Sequence, residues 1–215
     1  MQMKELKMSS KKAAESTELM VLERIAMGTV KVPIVGISEL IVHNWSEKSK
    51  RQMEEKQTSH GTRPKKEPKV PEEDYEATKY KTPDGKDAMV STAFKRAMVD
   101  ALRYFDGVSM VLGKTAFFVE GEYVEIEGEP RMREDMARNE TGVADIRYRA
   151  GYPEWRATLT ISYATKILTK ESIISLVDAA GRTQGIGEWR PSSKKTTGPF
   201  GRFQVDPDRP VEVMT

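Results

Sequence analysis

Apolar positions along this chain recur with two periods, and each change of period marks an element. From Thr29 onward Val30, Val32 and Ile34 alternate, and Ile37, Leu40, Ile41 and Val42 continue the run past Gly36. This predicts a first strand, bulged near Pro33 and Gly36. In VSTAFKRAMVDALRYFDG, Phe94, Ala97, Met98, Ala101, Leu102 and Phe105 fall three and four residues apart. That spacing predicts an amphipathic helix over 92–106, capped by Ser91 or Thr92 and ending before Gly107. TAFFVEG and EYVEIEG, on either side of Gly121, predict a hairpin, with the charged run EPRMREDMARNETG as a connection.

WRATLTISY places Trp155, Ala157, Leu159, Ile161 and Tyr163 on one face and Arg156, Thr158, Thr160 and Ser162 on the other, the clearest strand in the chain. Thr169 is expected to cap a helix in KESIISLVDAAG, with Ile173, Ile174, Leu176, Val177 and Ala180 inward and Gly181 closing it. A last strand, GRFQV, follows with Phe203 and Val205 inward. The order is βαββαβ, so the fold class is α+β: a ferredoxin-like, RRM-like antiparallel sheet with two helices on one face, as in many RNA-recognition domains.

The ferredoxin-like domain is expected over 29–205, between a mobile arm, 1–28, and a tail, 206–215. Residues 44–88 carry dense charge and three prolines between positions 64 and 71, with hardly an aliphatic side chain, and read as a polar insertion unable to build a core. Residues 46–57 are expected to form a short exposed helix, and the Pro-Lys tract an extended projection.

Composition narrows the chemistry. Charged residues make up 32% and hydrophobic ones 38%, a polar excess that this insertion absorbs. With no cysteine and two histidines, His43 and His60, thiolate catalysis and cysteine-held zinc are excluded. No apolar run is long enough to span a membrane and the N-terminus has no hydrophobic signal core, so a cytoplasmic protein is expected. The net charge of +2 says little, because a nucleic-acid surface is made by clustering.

Two clusters stand out. Lys95 and Arg96 are expected in the first turn of the helix beginning near residue 92, where the dipole disfavours cations unless an anion sits there; two solvated side chains are the alternative. Residues 185–203, GIGEWRPSSKKTTGPFGRF, form a connection far longer than the ~2 to 6 residues usual between helix and strand. Gly185, Gly187, Gly198 and Gly201 permit close approach to a ligand, while Arg190, Lys194, Lys195 and Arg202 can neutralise phosphates. Trp189 is expected to stack on bases, unless it closes the loop on the core. Lys48, Lys50, Arg51, Lys65 and Lys66 are secondary candidates in the insertion.

VSTAFKRAMVDALR and GIGEWRPSSKKTTGPFGRFQV together resemble the RAMP superfamily, the repeat-associated mysterious proteins that form the RNA-binding backbone of CRISPR effector complexes. The family's helix-opening element corresponds to Ser91, Thr92, Lys95 and Arg96, with Val90 in place of its proline. Its glycine-rich loop corresponds to Gly185, Gly187, Gly198, Gly201 and Arg202. The resemblance implies a thumb-like insertion at 44–88 and sequence-independent gripping of a single-stranded backbone by head-to-tail copies. A solitary chain of this kind also looks like proteins of phages and other mobile elements, which would place it in the host cytoplasm.

Some relatives cleave RNA with a histidine pair or a loop aspartate. Here His43 has no acid-base partner in the sequence, and the loop HNWSEKSKR lacks the aspartate, with Glu47 the nearest acid. The expectation is a binder of single-stranded nucleic acid, RNA before DNA, without cofactor, metal or catalysis, acting as a homo-oligomer or filament. The alternative is a phage or mobile-element assembly or inhibitor protein working through protein contacts, and an endoribonuclease ranks below both.

Overall fold

The computed structural model describes residues 23–45, 47–58, 70–138, 144–194 and 196–214. In chain order the elements are β1 (Met27–Gly36), β2 (Leu40–Val42), α1 (Glu47–Thr58), α2 (Pro71–Ala77), β3 (Tyr80–Lys81), β4 (Asp87–Val90), α3 (Ser91–Ala101), a 3-10 turn (Leu102–Tyr104), α4 (Met110–Ala116), β5 (Phe117–Val119), β6 (Tyr123–Glu125), β7 (Arg131–Arg138), β8 (Ala144–Tyr152), β9 (Arg156–Ala164), α5 (Lys170–Thr183), β10 (Phe203–Val205) and β11 (Glu212–Met214).

The main sheet runs β10-β1-β9-β5, wholly antiparallel, with β11 also on β1. Read through α3 and α5, this is the expected βαββαβ plan. Side-chain alternation carries it: Val30, Val32, Ile34, Ala157, Leu159 and Ile161 are fully buried, while Thr158 on the opposite face is exposed. Phe94 and Met98 of α3 and Ile173, Leu176 and Val177 of α5 bury their faces in the same core, each contributing on the order of 1.5–3 kcal/mol. Phe203 makes edge contacts with Phe94 and Trp155, both at 6.0 Å between ring centroids.

Pro33 fits inside β1 for a physical reason. β11 pairs with Thr29–Lys31 and β10 with Ile34–Gly36, so the missing N–H falls in the gap between them, where the Pro33 carbonyl accepts from Asp206 N at 2.9 Å.

Several expectations are corrected. The apolar run after Thr29 is two strands, because after Gly36 the chain turns and β2 enters a second sheet, β2-β8-β7. The charged run expected as a connection is β7, paired with β8 from Arg131↔Gly151 to Arg138↔Ala144. TAFFVEG and EYVEIEG do not pair with each other: β5 joins β9, and β6 joins β4 in a third sheet, β3-β4-β6. The insertion 44–88 holds folded structure at its C-terminal end, with Thr78 and Ala88 buried beside Met89 just beyond it. In α2 the acids Glu72, Glu73 and Asp74 occupy the first turn, complementing the helix dipole. Residues 206–215, set aside as a tail, contain β11.

Helix ends differ too. α3 starts at Ser91, after Val90, with no side-chain cap; the Ser91 amide donates to Glu122 O at 2.9 Å. Thr169 caps α5 as expected, its Oγ1 accepting from Ser172 N at 3.2 Å. Gly181 does not close that helix but lies within it, where a Cβ would collide with the Phe203 carbonyl oxygen. Closure falls to Gly185, with φ +65 and its amide donating to Ala180 O at 3.0 Å.

Candidate nucleic-acid interface

The long loop after α5 is held by backbone hydrogen bonds, some within it and some to β2 and the residue before it. Ile186 N donates to Gly201 O at 2.9 Å, Glu188 N to Ile41 O at 2.9 Å, Ser192 N to Gln184 O at 3.2 Å and Gly201 N to Glu39 O at 2.8 Å. Its glycines therefore serve backbone packing: a Cβ on Gly187 would strike Ile41 O, and one on Gly198 would lie 2.8 Å from Trp189 O. At these positions the chain itself occupies the space that a side chain would take.

Trp189 is likewise engaged. It is half-buried, its ring centroid lies 5.9 Å from that of Phe200, and the Arg149 guanidinium sits over it at 4.9 Å. Arg133 lies 5.2 Å over Phe200. Cation–π contacts from both strands of the β7–β8 pair thus clamp the loop, each worth about 0.5–2 kcal/mol. Trp189 thus sits in this clamp, with part of its surface still open to solvent.

Beneath the clamp is an ion network. Glu39 accepts from Arg131 Nε at 2.8 Å and from Arg133 Nη1 at 2.5 Å, and Arg133 Nη2 donates to Asp135 at 2.9 Å. Arg149 is 1% exposed, its Nη1 3.9 Å from Asp135 Oδ2. Burial, only partly offset by Glu188 and Asp135, holds its guanidinium below the ordinary arginine value.

The expected cations separate into groups. Lys95 and Arg96 stand in the second turn of α3, not the first, because the helix already begins at Ser91. Lys95 lies 3.9 Å over the Phe118 ring and donates to Lys114 O at 2.9 Å. Arg96 pairs with Asp100 at 2.8 Å and remains largely exposed. Arg202 turns away, its Nε donating to Arg182 O at 3.1 Å. Arg190 donates from Nη1 to Gly187 O at 2.8 Å and from Nε to Ser192 Oγ at 3.2 Å. Lys194 is exposed, as is Arg51 on α1. Lys50 lies 5.8 Å over the ring of Trp45, which is 52% exposed. Lys65, Lys66 and Lys195, and the side chain of Lys48, lie outside the described residues.

Arg96, Arg190, Gly185 and Gly187 are brought together. They line one cavity of about 180 Å³ between α3 and the loop, with His43, Tyr80 and Glu188 among its other walls. Tyr80 donates to His43 O at 3.2 Å, and His43 Nδ1 is buried without a hydrogen-bond partner among the described residues. Tyr80, Glu188 and Arg149 were absent from the sequence expectation. Tyr80 lay inside the polar insertion, and Arg149 reads as one more charge in a strand whose alternation is mostly polar. Trp45 had a visible signal, an aromatic within a charged run.

His43 is held below the usual histidine value, chiefly by burial and then by Arg149, with Glu188 opposing. A histidine depressed in the folded state contributes stability above its unfolded pKa, near 6.5, and that contribution is lost as pH falls through the folded value. The stability gap between wild type and His43→Gln, from urea unfolding at pH 7.5, 6.5 and 5.5, should therefore narrow as pH falls. A constant gap would show that His43 titrates as it does in the unfolded chain.

No family model matches the sequence, and no curated protein matches it. Among solved structures, the crystal structure of Cmr6 from Pyrococcus furiosus is similar over 85% of this chain and 100% of that chain, with a TM-score of 0.44 and 12% identity. At that level the likeness concerns the fold and carries no argument about function.

Proposed function

We propose that this chain binds single-stranded nucleic acid, RNA in preference to DNA, mainly through backbone phosphates and without chemistry of its own. The observation that carries the reading is the meeting of Arg96 on α3 and Arg190 on the glycine-rich loop at one cavity. Such placement of distant cations suits a phosphate track. Exposed Lys194 and Arg51 extend the basic surface, and exposed Trp45, beside half-buried Trp189, is a further aromatic side chain able to stack on a base. The RAMP resemblance of these same segments supports the reading.

Binding as head-to-tail copies is part of the proposal. Among the described residues β7 pairs only with β8, and its Met132 and Met136 are 47% and 65% exposed, an edge suited to a protein contact. No helix among the described residues is long and apolar enough to cross a membrane.

The test is size-exclusion chromatography with absorbance ratio, before and after RNase and a high-salt wash, followed by titration of a single-stranded RNA. Arg96→Ala with Lys194→Ala, two side chains the core does not use, should weaken binding by about tenfold or more and lower the salt slope by roughly 0.7 per lost phosphate contact. A clean, salt-insensitive peak that binds no RNA would favour the assembly reading.

A further inference from the structure

The cavity between α3 and the loop is more than a phosphate grip requires. Its volume of about 180 Å³ is the share of roughly six water molecules, yet it is smaller than the ~300 Å³ at which drug-sized pockets begin. It therefore suits one planar ring system. Ala93 and Ala97 on α3 line it with side chains that end at Cβ, together with Gly185 and Gly187 on the loop.

Its polar walls carry both signs of charge. Glu188 is half-buried and has no ion-pair partner among the described residues. The carboxylate acts on both His43 and Tyr80, which also line the cavity. Arg190 spends Nε and Nη1 within the loop, and its Nη2 makes no hydrogen bond among the described residues. A carboxylate in the wall repels a phosphate, so the phosphate belongs at the rim and something with N–H donors belongs inside.

We infer that this cavity takes one guanine turned out of the bound strand, with Glu188 accepting from guanine N1–H and N2–H, Arg190 donating to O6 or N7, and Arg96 left for the phosphate at the rim. Among the four bases only guanine sets two N–H donors side by side, matching a carboxylate, with acceptors on the adjoining edge for a guanidinium. Charge-assisted bonds of this kind are the stronger ones. Any other base leaves a desolvated carboxylate partly unpaired, which is how such sites discriminate. His43 Nδ1, buried and unpartnered among the described residues, offers a further contact. The inference rests on the proposed strand binding and adds a base preference to a phosphate grip that has none.

Fluorescence anisotropy with a 12-nucleotide uridine strand, the same strand with one central guanine, and an adenine control tests it on the full chain. The guanine strand should bind roughly tenfold more tightly than the other two. Glu188→Gln and, separately, Ala93→Leu, which fills the cavity without touching a charge, should each bring that ratio close to one and leave uridine binding unchanged. Equal affinity for all three strands overturns the guanine site while strand binding stands. A preference surviving both variants overturns its location, and no binding of any strand overturns both readings.

Discussion

Gly201→Ala should lower stability by about 3 kcal/mol or more, which for a chain of this size is a fall in melting temperature of about 10 °C. Two terms add. Gly201 has φ +65, a left-handed conformation costing an L-residue roughly 1–2 kcal/mol. A Cβ there would also press into the Ile186 carbonyl oxygen, backbone that cannot give way cheaply, an overpacking cost of about 1–3 kcal/mol. Relief would break the Ile186 N to Gly201 O bond that pinches the loop shut. Gly85→Ala is the control, because Gly85 has φ +85 but nothing within 4 Å of the added Cβ. It should cost only the backbone term, about 1 kcal/mol. Urea unfolding of both variants decides the point: equal losses would mean that close packing of the loop plays no part.

Asp135→Ala should cost about 3–5 kcal/mol, the penalty for taking away one of the two carboxylates that oppose the buried Arg149 charge. Asp135 is 7% exposed, bonds Arg133 and faces Arg149, which is itself almost wholly buried. With the carboxylate gone, only Glu188 opposes the Arg149 charge, and the guanidinium would move toward water. Trp189, packed against it, should move as well and change its fluorescence. Asp135→Leu with Arg149→Leu removes both charges and should recover most of the loss, since a buried pair contributes little net stability over an apolar one. If Asp135→Ala unfolds within about 0.5 kcal/mol of wild type, the ion network does not hold the clamp.

The main sheet was legible because its strands alternate cleanly. From Trp155, just before β9, to Tyr163 within it every second side chain enters the core, and α3 and α5 show their apolar stripes at three and four residues. Reading failed where burial is not apolar. In β7 Arg131, Arg133 and Asp135 share one face, and in β8 Asp145, Arg147 and Arg149 do, so the period of both looks like solvated charge. Glu39, ninety-odd positions earlier, is what satisfies Arg131 and Arg133. β4 was hidden by its charged neighbourhood, although Ala88 and Met89 are buried.

The candidate interface divides the same way. Glycines and cations in residues 185–203 were visible as a group, but the same composition fits a ligand cradle and a loop that packs on itself. Choosing between them depends on which backbone oxygens approach each glycine, and those of Gly187 and Gly201 belong to Ile41 and Ile186. Local pattern by itself determined the βαββαβ order, the two core helices and the cap at Thr169, because these follow from side-chain period and nearest-neighbour hydrogen bonding. Only the tertiary structure decided that Trp189 closes a clamp, that Lys95 lies on Phe118, and that Arg96, Arg190, Glu188 and His43 share a cavity. Those facts depend on contacts between residues far apart in the chain, and no local period encodes them.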